Sequence, residues 1–260
     1  MTLAILRKTL RDLRWQVLGY GLGLALMGAF IAYIYPSYHE QLASFELPES
    51  LQALIGNADY KTGIGFLAGE FFSWTPILLV VFAIMAGTAV LANEESEGTL
   101  ELVLAQPVSR GRLLLSKSLG VLVAAVAMML LVNLGWAVSL PFVDTGVGAW
   151  RVFAATMNMV LIVTAFGALS LWLGAAVPDR RLATGIATAI AVASYFGNYL
   201  ANLVDVVRPV RWLSLFFYNQ GAGALTEGVD PAKAAVMVAV TGIFVLLALR
   251  AFQRRDIGAR

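Results

Sequence analysis

The chain has 260 residues, of which 60% are hydrophobic and only 13% charged, and its mean hydropathy is +0.80. A soluble domain carries about 25% charged residues, so water is not the main solvent of this chain. The absence of cysteine excludes disulfides and thiolate metal sites, and a single histidine, His39, excludes a paired-histidine zinc site. Because the formal net charge is only +2, the distribution of charge carries more information than its total.

A helix that crosses about 30 Å of hydrocarbon at 1.5 Å per residue needs about 20 largely apolar residues. Six runs qualify: residues 15–35, 71–92, 113–140, 152–177, 183–204 and 234–252. Their hydrophobic cores hold no Asp, Glu, Lys or Arg. The bilayer offers backbone groups no water, so each run is expected to be a helix, and the fold class is all-α and polytopic. Prolines mark ends: Pro36 after the first run, Pro141 after the third and Pro178 after the fourth. Asp230 and Pro231 have the residue types of an N-cap and first helical position for the sixth. Pro76, near the start of the second, is placed to kink it. A cleaved signal peptide fits the N-terminus poorly, because the apolar stretch is long and no A-x-A site follows it.

Ahead of the first run, Leu3, Leu6, Leu10 and Leu13 recur at helical spacing while Arg7, Arg11 and Arg14 take another face. This pattern suits a separate interfacial amphipathic helix over residues 1–14, or a basic flank that only sets topology. Lys and Arg alternate between loops. Arg7, Lys8, Arg11 and Arg14 precede the first run; Arg110 and Arg112 lie between the second and third, and Lys117 just inside the start of the third. Arg180 and Arg181 follow the fourth, and Arg250, Arg254, Arg255 and Arg260 close the chain. The other loops hold only Lys61, Arg151, Arg208, Arg211 and Lys233. The bias places both termini in the cytoplasm, consistent with six crossings.

The outer loops differ in size. Residues 36–70 form a long one, in which Leu47, Leu51, Leu54 and Ile55 have helical spacing before Gly56. Residues 205–233 contain an aromatic piece, 212–218, too short to span; it is either re-entrant or a surface loop with interfacial anchors.

The search for catalysis is negative. The chain lacks G-x-x-x-x-G-K-[ST], so it cannot hydrolyse ATP with a P-loop, and it lacks H-E-x-x-H and G-x-S-x-G. The string from Gly63 to Ala68 imitates half of a dinucleotide fingerprint, but no strand precedes it. Ion-coupled carriers keep ionisable residues within their spans, and these cores have none, so transport work would have to come from elsewhere. Neutral polar residues do enter the spans. Thr188, Tyr195, Asn198 and Asn202 lie with Thr184 near one stripe of the fifth run, where they either line a cavity or bond between helices. Gly19-x-x-x-Gly23 in the first run permits close helix approach.

The most informative segment lies between the second and third runs. It begins acidic, forms a short amphipathic helix from about Thr99 to Ala105, and stops at Pro107, which pushes its predecessor out of helical conformation. Ser109 can cap the next helix. Leu100, Val103 and Leu104 make an apolar edge rimmed by Glu97, Glu101 and Arg110. That edge suits docking of a cytosolic partner, or packing of a plain connector on the membrane surface.

The string E-E-S-E-G-T-L-E-L-V-L-A-Q-P-V-S-R-G-R-L-L-L-S-K, from Glu94 to Lys117, resembles the coupling-helix signature of type-2 ABC exporter permeases, E-x-x-x-G-T-L-E-x-L-L-x-x-P-[VI]-S-R. Val103 stands where leucine is common. The layout is also similar along nearly the whole chain: a basic first helix, six spans, a long first outer loop and an aromatic piece before the last span. The resemblance implies that Glu95, Gly98, Thr99, Leu100, Glu101, Leu104, Pro107, Ser109 and Arg110 sit on or near an ATPase groove. Leu100 and Leu104 would insert, and Glu101 and Arg110 would pair with its charges.

The expected function is therefore the permease subunit of an ABC exporter in a bacterial inner membrane. It would pair with a second permease copy or paralogue, and move an amphiphilic drug, antibiotic or lipid outward. ATP and Mg²⁺ would sit on the partner ATPase, with no catalytic residue, cofactor or metal in this chain, and its other partners would be membrane lipids rather than nucleic acid. The competing readings are a membrane anchor or sensor that recruits an ATPase, a channel or secondary carrier, and an intramembrane enzyme, for which no acid, base or metal cluster is found.

Overall fold

The computed structural model describes residues 2–42, 62–96, 109–143, 145–177 and 179–254, and among them every regular element is helical. The first helix, α1, runs from Thr2 to Leu42 without a break. Two sequence expectations fail here. The basic, leucine-bearing segment is not a separate helix but the first turns of α1, because no Gly or Pro separates it from the apolar run. Pro36 does not end the helix either; it removes one backbone donor and leaves the neighbouring turns intact. Of the outer loop, residues 43–61, including the helix expected around Leu47 to Ile55, lie outside the described residues.

The chain then enters the second run earlier than its sequence indicates. A short helix α2, Gly63–Leu67, is capped by Thr62, whose hydroxyl accepts from the Gly65 N–H at 3.0 Å. It passes into a π turn, Ala68–Phe72, and α3 follows over Thr75–Ser96. Pro76 therefore stands in the first turn of α3, where its missing N–H has no partner to lose, and it starts the helix rather than kinking it.

The remaining elements are α4, Arg110–Ser139, closed by a 3-10 turn Leu140–Phe142; α5, Ala149–Asn158; α6, Val160–Ala176; and α7, Arg180–Leu203. A 3-10 segment Asp205–Leu213 leads to α8, Leu215–Tyr218, α9, Gly221–Thr226, and α10, Pro231–Arg254. The expected caps form. Ser109 accepts from the Arg112 N–H at 3.3 Å, and Asp230 accepts from the Ala232 N–H at 2.8 Å. The fourth run is divided at Met159 into α5 and α6, a break that no Gly or Pro in the sequence announces.

Among the described residues, five stretches are long and apolar enough to cross a membrane: Leu3–Tyr38, Gly63–Val90, Arg110–Phe142, Ala149–Ala176 and Pro231–Arg254. The 24-residue α7 is long enough as well, but Thr184, Thr188, Ser194, Tyr195, Asn198 and Asn202 make it more polar than the others. Exposed aromatic residues mark two levels. Trp15 and Tyr33 both point outward from α1, 18 positions and about 27 Å apart, close to the thickness of the hydrocarbon. Trp74, Phe142, Trp150 and Trp212, also exposed, stand at the ends of elements on the Tyr33 side, as an aromatic belt does.

Packing in lipid depends on close contact rather than on removal from water, and small residues set the approach of two helix pairs. Where α1 crosses α4, a Cβ on Gly135 would come within 2.7 Å of the Ala25 carbonyl oxygen, one on Gly21 within 2.8 Å of Leu131, and one on Gly28 within 2.9 Å of the Trp136 ring. The Gly19-x-x-x-Gly23 pair expected to do this faces open space instead. Its spacing is right, but it lies on the other side of α1 from the stripe of Gly21, Ala25 and Gly28. Between α3 and α6, Gly87 rests on the Gly167 backbone, and a Cβ there would meet Ser170 Cβ at 2.7 Å. The hub is α6, buried nearly all round, with α3, α4, α7 and α10 packed against it. At the Tyr33 end, Trp136 is locked by Phe71 at 4.9 Å edge-on and by Phe72 at 6.1 Å in a stack. This lock holds the π turn against α4.

Gly135→Leu is expected to destabilise the purified chain by about 1–3 kcal/mol through overpacking, whereas Gly23→Leu should stay within about 0.5 kcal/mol of the unsubstituted chain. Thermal unfolding in detergent distinguishes them, and equal shifts would contradict the placement of α1 on α4.

Candidate functional site

The segment with the strongest functional signal emerges from the adjoining ends of α3 and α4. Of its predicted residues, Glu95 belongs to the last turn of α3, and Ser109 and Arg110 open α4. Gly98, Thr99, Leu100, Glu101, Leu104 and Pro107, together with the Glu95 side chain, lie outside the described residues. What the structure adds is the base on which the segment stands. The Arg110 guanidinium donates to the carbonyl oxygens of Phe252 at 3.4 Å and Gln253 at 3.3 Å. It thereby meets two of the carbonyls that the last turn of α10 leaves without intrahelical partners.

Lys117 forms the second tie. Its sequence position groups it with the flanking loop charges, but its side chain is only 3% exposed, and its ammonium donates to the Val90 carbonyl oxygen at 2.6 Å. A charge-assisted bond of this length between α3 and α4 is strong, and it lies about two turns inside either helix end. An ionisable side chain therefore does enter the bundle, contrary to the expectation from the span cores. The signal that could have found it is its place on the buried stripe of α4 with Leu113, Leu114, Ser116 and Gly120.

The polar stripe of α7 occupies a different place. Its Thr184 hydroxyl lies 2.8 Å from the Arg180 carbonyl oxygen and 3.3 Å from the Thr88 hydroxyl of α3. Thr188 and Asn202 are exposed, Asn198 is half-buried, and the half-buried Tyr195 ring packs edge-on to Phe216 at 5.4 Å. These four residues follow one side of α7 but do not converge on an enclosed space. The buried side of α7 is Ala183, Ala187, Ala191 and Ala201. Its C-terminal half is fixed by a knot of hydroxyls. Ser214 donates to the Ser194 carbonyl at 2.7 Å, the two hydroxyls lie 3.0 Å apart, and the Leu215 N–H donates to Ser194 Oγ at 3.0 Å.

The aromatic piece 212–218 lies partly on the surface, with Leu215–Tyr218 half-buried, and the chain turns inward beyond it. Trp212 and Leu213 are exposed, while α9 turns back so that Leu225 is fully buried and Gly221 abuts the Phe72 carbonyl. On the other side of the hub, α4, α6 and α10 enclose an apolar crevice of about 450 Å³ that includes none of the α7 polar residues. No group of three or more His, Cys, Asp or Glu residues able to hold a metal ion occurs among the described residues.

A bundle of hydrocarbon-length helices, with the second and third spans tied together at the ends that lead into their connecting segment, fits a transport component. The profile of the family described as ABC-2 family transporter protein matches residues 3–257. The chain belongs to that family. No protein among those with curated functions matches the chain. As an ABC-2 permease it is a membrane-spanning transport component, of a kind that works with an ABC ATPase and has no catalytic activity of its own. The family match encloses the α3–α4 segment, α7 and the crevice alike.

Ser194→Ala is expected to cost the ABC-2 permease about 1–3 kcal/mol, because the Leu215 N–H loses its acceptor while Ser214 keeps its bonds to the Ser194 carbonyl and the Phe216 N–H. Hydrogen exchange at the Leu215 amide should accelerate accordingly, and unchanged protection there would contradict the knot.

Proposed function

We propose that this ABC-2 permease is a half-sized membrane subunit of an exporter in the plasma membrane, and that two copies, or one copy and a paralogue, enclose the transport path. In this reading α7 also crosses the membrane, as the fifth of six spans, which puts both termini on the cytoplasmic side with Arg7, Arg11, Arg110, Arg112 and Arg254. Residues 97–108 dock into the ATPase. Leu100 and Leu104 enter its groove, Glu101 and Arg110 meet its charges, and Gly98 and Pro107 set the ends of the short helix. ATP and Mg²⁺ are held by the ATPase.

The observation that carries this reading is the double tie at the base of the segment. Arg110 binds α4 to the end of α10, and Lys117 binds α4 to α3. A push on the segment is therefore delivered to three helices together and not lost in bending one. The path is best assigned to the side formed by α1, α3 and α7. There Thr188 and Asn202 on α7, and Leu78, Val81 and Met85 on α3, are exposed among the described residues. An apolar wall with sparse hydroxyl and amide groups suits an amphiphilic drug, antibiotic or lipid, which would need few specific hydrogen bonds.

Leu100→Asp with Leu104→Asp should reduce co-purification of the ATPase by about tenfold or more, as loss of buried interface anchors does. If binding and permease-stimulated ATP hydrolysis survive both substitutions, the docking proposal fails. Lys117→Met should leave ATPase binding intact but lower ATP-dependent flux in proteoliposomes. Flux that continues without ATP would make the protein a channel or carrier. Binding without any ATP-dependent flux would make it an anchor.

A further inference from the structure

The crevice between α4, α6 and α10 lies across the hub from the face assigned to transport. Its volume of about 450 Å³ falls in the range of small-molecule sites, yet its wall makes no polar demand. Three hydroxyls line it, and each has its donor bonded to its own helix: Ser118 to the Leu114 carbonyl at 3.0 Å, Thr164 to the Val160 and Leu161 carbonyls at 3.0 Å, and Thr241 to the Met237 carbonyl at 2.8 Å. Water in such a space would find too few partners to stay. The wall is open sideways, since Leu115, Leu119 and Leu122 are each exposed by 41–50%. At the depth of membrane-spanning helices, the neighbour on that side is hydrocarbon.

The mouth has a charge. Arg112 falls on the same helical stripe as Leu115, Leu119 and Leu122, at spacings of three, seven and ten. It is exposed, stands one turn outside the crevice, and has no ion pair with a described residue. The adjoining end of α10 is close, because Gly111 approaches Leu249 and Gln253, and it brings Arg250 and Arg254 to the same level. An apolar slot with a cationic end has the complementary form of an anionic phospholipid.

We propose that the crevice holds one acyl chain of an anionic phospholipid whose phosphate is bound at Arg112. The lipid would bridge α4, α6 and α10 and act as a bound component of the permease, not as cargo, because the slot is separated from the α7 face by α6. The proposal requires only that these helices span a bilayer. It does not depend on the exporter reading, so either can fail alone.

The test uses the full chain in phosphatidylcholine nanodiscs containing a trace of phosphatidylglycerol with a diazirine at mid-chain. Cross-links are mapped by mass spectrometry, and unlabelled lipids compete. Labelling is expected within residues 160–171 and 238–245, with phosphatidylglycerol competing about fivefold better than phosphatidylcholine, the preference that one arginine near the headgroups supplies. Arg112→Gln, an exposed substitution, should erase the preference while labelling continues. Thr241→Trp, which fills the slot, should remove labelling there while labelling on the outward face of α1 persists. Equal competition by the two lipids in the unsubstituted chain, a preference that survives Arg112→Gln, or no labelling of the two segments would each overturn the proposal.

Discussion

A backbone that leaves water must bring its own hydrogen-bond partners, and everything else in this structure follows from that demand. It makes each apolar run a helix, and it turns each helix end into a place where unmet donors and acceptors must be satisfied. The side chains that meet these ends also tie the bundle together. Thr62, Ser109, Asp179 and Asp230 close N-termini within their own elements, whereas Arg110 reaches across to the C-terminus of α10. Lys117 meets a different need, that of its own buried ammonium, with a carbonyl of α3 away from the helix end. The functional segment is held by bonds that also solve a solvation problem.

The helices themselves are readable from the sequence because hydrocarbon thickness imposes a length. The runs at 113–140, 183–204 and 234–252 differ from α4, α7 and α10 by a few residues at each end. The basic start of α1 was readable as amphipathic but not as continuous, since continuity depends only on nothing interrupting it. The π turn at Ala68–Phe72 and the break at Met159 escaped for the opposite reason. No Gly or Pro stands near Met159, and Gly69 within the π turn does not by itself specify one; both features lie where α9 packs on the bundle.

Contact faces were harder to read than helices. Gly19 and Gly23 satisfy a spacing rule, yet the stripe of Gly21, Ala25 and Gly28 makes the contact, because Gly135 and Trp136 on the partner helix decide which face is used. Lys117 shows the same ambiguity for charge: near a helix end, a lysine can point to water or into the bundle. The segment between α3 and α4 stands out in sequence through Gly98, Pro107 and the acidic run, all local features. The role of Arg110 as a tie to α10 could not be read, because its partners are backbone atoms more than a hundred positions away.

The alanine face of α7 has a mechanical consequence. Bulky side chains interlock, and two helices joined by them can move only by prising whole turns apart. Methyl groups present a nearly smooth rail. Ala183, Ala187, Ala191 and Ala201 leave α7 resting on its neighbours without such teeth, while the serine knot pins one point near its far half. Tied by hydroxyls at two points, Thr184 to Thr88 and the serine knot, with methyl groups between them, α7 can shift with the loss of few interlocking contacts.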